Sequence, residues 1–193
     1  MKLGNIHTHV DLIAGLPYES YEIFARSFDK VYDLRADMLQ LGFLKVLRGT
    51  PMSSQIEAHG IKYRSHAPYE VISTDYISAE ELVHLKMIEN MVDIYYNRGG
   101  FEETMEFLIK SVNLGAFGFY EKLADFYYEK GYQHRDRKKE DQYRILLEFA
   151  ASLEGKAENI KEKTRELLEA DMKRNTNPEI FKRFLRKGWE LTR

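Results

Sequence analysis

The chain opens on a strand–helix–strand pattern and then offers no further strand of comparable length, which restricts its fold more than any other feature. Ile6-His7-Thr8-His9-Val10-Asp11-Leu12-Ile13-Ala14 is a short apolar-rich run stopped by Gly15-Leu16-Pro17, the pattern of a buried strand that ends in a turn. After Pro17, apolar residues at Tyr21, Phe24, Ala25, Phe28, Val31, Tyr32 and Leu34 recur at three- and four-residue steps, the period of an amphipathic helix. Residues 38–47 read as a second strand, punctuated by Gly42 and ended by Gly49-Thr50-Pro51. A βαβ unit with such short connections makes its two strands parallel. Two strands cannot close a parallel barrel, and they leave edges that another strand must cover.

Beyond this unit, residues 51–77 suggest a short helix before Gly60 and two short strands over 61–64 and 70–74. From Ser78 the pattern becomes helical. Ser78-Ala79-Glu80-Glu81 has the form of a capping box, in which the Ser oxygen and the Glu carboxylate each satisfy a free amide of the first turn. The helix it opens is predicted over 79–97 and stopped by Arg98-Gly99-Gly100. Further helices are predicted over 101–113, 117–130, 138–153 and 156–173, and a last one is announced by Asn177 as cap with Pro178 at its first position. No linker rich in Gly, Ser and Pro separates them from the strands. The expected fold class is therefore α/β: a βαβ part with an irregular insert over 1–64, then an all-helical region over 65–193.

The sequence of 193 residues contains 0 cysteines, which removes disulfides, thiolate nucleophiles, cysteine-ligated zinc and any thiolate-held iron–sulfur cluster from this chain. The net charge of −2 gives no global case for nucleic acid or membranes, but residues 1–134 stand at −6 and 135–193 at +4. The sign changes at Tyr132-Gln133-His134-Arg135-Asp136-Arg137-Lys138-Lys139, a candidate domain edge. No apolar run approaches the roughly 18 residues of a membrane span, and no basic-then-apolar leader is present at the start. A cytoplasmic protein with neither nucleic acid nor membrane as partner is expected. Arg135, Arg137, Lys138, Lys139, Lys182, Arg183, Arg186 and Lys187 have acidic neighbours, so they read as solvated helix faces with local ion pairs.

The stretch from His9 through Asp11-Leu12-Ile13-Ala14-Gly15-Leu16-Pro17-Tyr18 to Glu19 resembles a late strand and turn of the radical S-adenosylmethionine barrel. Leu44-Lys45-Val46-Leu47-Arg48-Gly49-Thr50-Pro51-Met52 resembles that family's following strand with its Gly-Thr-Pro exit. Within the superfamily the likeness is to the cobalamin-binding group, which includes Fe–S oxidoreductases and proteins similar to anaerobic magnesium-protoporphyrin monomethyl ester cyclase. One of its subgroups carries a helical domain of unknown function after the barrel. Residues 65–187 resemble that domain, notably Pro68-Tyr69-Glu70-Val71 and Met91-Val92-Asp93-Ile94-Tyr95-Tyr96-Asn97. The family's Cys-x3-Cys-x2-Cys loop and its cobalamin-binding region have no counterpart here. The resemblance thus implies the carboxy-terminal piece of such an enzyme, inactive alone, whose partner is the missing amino-terminal part of the same polypeptide. Its S-adenosylmethionine, [4Fe–4S] cluster and cobalamin belong to the parent, and none is expected to stay bound to this piece. The family motif Gly-x-Ile-x-Gly-x-x-Glu maps Ile13 and Gly15 onto the adenine pocket, with Asp11 at the first glycine and the acidic Glu19 one place late. Val46 and Leu47, on the neighbouring strand, are weaker adenine contacts.

Two rival readings follow from the residues themselves. His7-Thr8-His9 is a His-x-His pair of the kind that begins metal sites in amidohydrolases, but no further His, Asp or Glu stands at the spacing such a site requires. His7, His9, Asp11 and Ile13 share one strand face, which makes His7, His9 and Asp11 candidates to face a substrate or to form a satisfied polar network; no metal ligand is assigned. The other rival is a non-enzymatic helical interaction module whose strands complete a partner's sheet, or pair in a dimer. The rings from Tyr95 to Tyr132, with Phe101, Phe107, Phe117, Phe119, Tyr120, Phe126, Tyr127 and Tyr128 among them, have helical spacing and read as core rather than as a stacking platform.

Overall fold

The computed structural model describes residues 6–134, 138–153 and 157–190. It is a mixed α/β molecule with a small parallel sheet, a short antiparallel hairpin and seven α-helices among the described residues. Contacts divide it into two compact units, Met1–Asp93 and Ile94–Arg193.

In the first unit, β1 (His9–Ala14) and β2 (Met38–Phe43) run parallel, in register from His9 opposite Met38 to Ala14 opposite Phe43. The helix α1 (Tyr21–Tyr32) joins them, with Ser20 accepting the Ile23 amide at its start. Its Phe24, Phe28 and Tyr32 are buried, as the three- and four-residue spacing requires. The start of β1 is tied to the start of β2 by one bracket. Thr8 donates its amide and its hydroxyl to Asp37 Oδ2, each at 2.8 Å, while the Asp37 amide donates to Thr8 Oγ1 at 3.0 Å.

Past β2 the chain turns antiparallel. Val46 donates its amide to Tyr69 and Val71 donates to Leu44, so β4 (Val71–Ser73) is stitched to the extension of β2 and pairs on its other side with β3 (Lys62–Tyr63). Between them, Pro51–Ser54 and Glu57–His59 form single 3₁₀ turns. The helix α2 (Ala79–Val92) packs on β2 and β4 with Leu82, Leu85, Ile88 and Met91 buried. Its capping box is complete: Ser78 accepts from the Glu81 amide, and Glu81 accepts from the Ser78 amide at 2.7 Å. Where one helix was expected over 79–97, the α-helix ends at Val92 and continues as a π turn over Asp93–Asn97.

The second unit is helical: α3 (Glu102–Val112), α4 (Gly115–Glu129), α5 (Lys139–Ser152), α6 (Ala157–Asn175) and α7 (Pro178–Lys187). The helix α6 lies against α3, α5 and α7, burying Thr164, Leu168, Asp171 and Met172 along one stripe. Asn177 caps α7 through the Glu179 amide, with Pro178 at the first position. The part of the proposed domain edge at Arg135-Asp136-Arg137 lies outside the described residues. No helix among the described residues is long and apolar enough to cross a membrane.

Candidate functional site

The two faces of the parallel pair differ. Val10, Leu12 and Ala14, with Leu39, Leu41 and Phe43 across the register, face the side covered by helices; Leu39 and Leu41 are buried and Ala14 is fully enclosed. The other face carries His9, Asp11 and Ile13 of β1 opposite Met38, Gln40 and Gly42 of β2, and the three β1 residues are exposed. Alternation places each set on its face. Ile13 leaves 46% of its surface open. Its register partner Gly42 has no side chain, so beside Ile13 the sheet presents bare backbone. Two residues back, His9 Nε2 stands 3.1 Å from Asp11 Oδ1. His7 is exposed in the segment before β1.

At the carboxyl end of β1, Gly15 is buried with φ of +84°, and a Cβ there would stand 2.8 Å from Val71 Cγ1. Its glycine identity thus has a steric reason within the first unit: a left-handed turn pressed against β4. Pro17 and Tyr18 lead to Glu19, whose Oε2 is buried without a hydrogen-bond partner among the described residues. Burial pushes its carboxyl above the usual carboxylate range. Tyr18, itself at φ of 66°, lays its ring edge-on to His59 at 5.1 Å, and His59 Nδ1 lies 3.1 Å from the Tyr76 hydroxyl. At the exit of β2, Val46 is buried and its amide is used by Tyr69, whereas Leu47 is exposed and its carbonyl accepts from Thr50. Of that pair, Leu47 alone presents a side chain to solvent.

The sequence-derived candidates therefore fall into two groups. His9, Asp11 and Ile13 share the open face; Gly15, Val46 and Leu47 belong to the turns and the β2 extension. Among the described residues, no three His, Cys, Asp or Glu side chains converge as a metal cage. The rings of the second unit pack as core: Tyr95, Phe101, Phe117, Phe119, Tyr120, Phe126 and Tyr127 are buried and the remainder half-buried or nearly so. Lys182 pairs with Glu179 one turn away on its own helix, as expected for a solvated face, whereas Arg183 reaches across to Glu140 of α5.

Four features escaped the sequence. The Thr8–Asp37 bracket joins residues 29 apart, and Tyr18, His59 and Tyr76 meet from three separate turns. Gly42 was visible as a break in a strand, but its pairing with Ile13 depends on register. The fourth is a carboxylate buried in the second unit: Asp171 accepts the amides of Thr104 and Glu103 at 3.0 and 3.4 Å and the Thr104 hydroxyl at 2.7 Å.

A search of the curated proteins finds no match. A family model, described as protein of unknown function (DUF4080), matches residues 57–191, from the Glu57–His59 turn through the end of the helical unit. That stretch is more than two-thirds of the sequence, and the chain belongs to the DUF4080 family.

Proposed function

We propose that this chain works as part of a radical S-adenosylmethionine Fe–S oxidoreductase, in which β1 and β2 are neighbouring strands of a parallel barrel and the open face looks into it. One observation carries the reading. Parallel sheets are ordinarily covered on both faces, yet here helices close one face and leave an exposed Ile13 beside a bare Gly42 on the other. Family membership supports it, because the DUF4080 domain is found in radical S-adenosylmethionine and cobalamin-associated proteins. Gly15 directly follows the carboxyl end of β1, the end of the strands at which open α/β sheets bind ligands.

The residues fit an adenine ring better than they fit the metal groups. Ile13 offers an apolar surface, Gly42 gives a ring room to approach the backbone, and Leu47 adds a second exposed apolar side chain. A [4Fe–4S] cluster needs thiolates; this chain has none, so no residue here holds it and no step is assigned through it. No residue of this chain is assigned to cobalamin. The contribution of the chain is to bind and orient the adenosyl part of the cosubstrate and to exclude water from one wall of the reaction space.

Titration of 5′-deoxyadenosine in large excess into the ¹⁵N-labelled chain tests the proposal through fast, transient contacts, which do not require the ligand to stay bound. Amide shifts are expected at Ile13, Gly15, Gly42 and Leu47, and Ile13→Asp should weaken the binding about fivefold or more by placing a charge under the ring. Shifts confined to the helical unit, or none, would overturn it.

A further inference from the structure

We infer that Tyr18, with Tyr76 and Asp75 beside it, forms a binding site for a cation of the guanidinium class in the turn that follows β1. None of these residues is assigned to the adenosyl group, so the site stands or falls independently of the proposed function. Tyr18 takes a φ of 66°, in the left-handed region that a residue with a Cβ enters only at a cost. Yet 71% of its surface stays open to solvent, so burial does not offset that strain. A strained residue that keeps its ring out of the core is held there for what the ring presents.

The ring is held in one attitude by two others. His59 stands nearly perpendicular to it, with centroids 5.1 Å apart at 80°, and Tyr76 leans against it at 5.1 Å and 50°. Both supports are themselves fixed. His59 is buried, with its Nδ1 3.1 Å from the Tyr76 hydroxyl, and its carbonyl accepts the Asp75 amide at 3.0 Å. Thr74 Oγ1 accepts the amides of Tyr76 and Ile77, which closes the turn that carries Tyr76. The open part of Tyr18 is therefore a preorganised aromatic surface, electron-rich over its faces.

Charge selects the ligand. Asp75 is exposed, and its Oδ1 would stand 1.9 Å from a Cβ at Gly60, which seats the carboxylate beside the turn of His59. Burial first, then Tyr18 and Asp75, push the Tyr76 hydroxyl above the usual tyrosine range, as groups sharing one small space do. Among the described residues Asp75 joins no ion pair. Aromatic faces beside an unpaired carboxylate attract a cation. A guanidinium suits them best: flat and weakly hydrated, it stacks on a ring while its N–H fork meets a carboxylate. An arginine of a peptide and a free alkylguanidine carry the same head group.

The test adds ethylguanidinium chloride to the full chain at constant ionic strength and follows the ring and amide signals of Tyr18 and Tyr76 by NMR. Both should shift saturably. Ethylurea, of similar shape without the charge, and ethylammonium should each bind about threefold or more weakly. Asp75→Asn should weaken ethylguanidinium about threefold, the modest effect of an exposed charge. Tyr18→Gly separates the site from the fold: it should abolish the Tyr76 response and raise the urea midpoint, because glycine enters the left-handed region freely. A lower midpoint for Tyr18→Gly, which a packing role predicts, overturns the inference. So does an equal response to ethylurea, or a Tyr76 response that survives Tyr18→Gly. Acetyl-Gly-Arg-Gly-amide run in parallel tells the two sources apart: tighter binding of the peptide supports the site as one for an arginine side chain, and weaker or equal binding supports the free cation.

Discussion

Two residues of the β1 exit show how local chemistry sets the turn that the candidate site depends on. Gly15 takes a φ of +84° with Val71 Cγ1 2.8 Å from where a Cβ would stand. Gly15→Ala therefore combines left-handed strain with a clash against a buried side chain, and should cost about 2–4 kcal/mol in urea unfolding. Gly49, also left-handed at φ of +79°, has open space around it, so Gly49→Ala should carry the backbone strain alone, about 1 kcal/mol. Glu19 gives a pH signature. Its carboxyl is raised in the folded state by burial, so the folded chain holds that proton to a higher pH than the unfolded one. Stability is then lost as pH rises through the interval between the ordinary carboxylate value and the raised one, and the penalty is fully present at neutral pH. Glu19→Gln should stabilise by about 0.5 kcal/mol at pH 7, a fully buried unsatisfied group discounted because this one is half-buried. The gain should vanish below about pH 4.5, where the carboxyl is protonated in both states. Chemical unfolding at the two pH values reads this directly.

At the scale of elements, the helix caps separate what was legible in the sequence from what was not. The cap of α2 lies within four consecutive residues, Ser78 to Glu81, and the cap and Pro of α7 within two, so both were readable. The start of α3 carries no side-chain cap of its own. Asp171, fully buried on α6, accepts the Glu103 and Thr104 amides instead, and Arg174 pairs with both Asp171 and Glu103. A cap supplied from 67 residues away leaves no local pattern. Asp171→Ala should leave two amides and the Thr104 hydroxyl unsatisfied in the core, costing about 2–4 kcal/mol. Ser78→Ala, which frees one amide at an exposed helix start, should cost about 1 kcal/mol. Thermal unfolding of the two variants against the parent checks the order, and equal losses would count against a structural cap at Asp171. The candidate site was legible to the same degree. Alternation along β1 placed His9, Asp11 and Ile13 on one face, while the burial of Val46 turned on pairing with Tyr69, a partner that no spacing in the strand announces.

For the whole molecule, the family match and the packing divide the chain at different places. The DUF4080 match begins at residue 57, yet the elements it includes up to Asp93 are built into the first unit. Val71 of β4 donates its amide to Leu44 in the extension of β2, and α2 packs on β2 and β4 with Leu82, Leu85 and Ile88 buried. A polypeptide of residues 57–193 keeps every helix of the family region but removes β1, α1 and β2, so the apolar stripe of α2 loses the cover that β2 gives it. Each such large side chain returned to water forfeits about 1.5–3 kcal/mol of burial, a sum comparable with the whole stability of a small unit. Residues 94–193 retain the second unit's own core, including Tyr120, Tyr143, Leu168 and Phe184. The shorter polypeptide is therefore expected to melt in one cooperative transition by circular dichroism and to bind little 1-anilinonaphthalene-8-sulfonate. The longer one should show helical signal together with dye binding, because its α2 stripe is uncovered. If 57–193 melts as sharply as the full chain and leaves the dye unbound, the family region folds without the strands, and β1 and β2 contribute an attached site rather than part of its core.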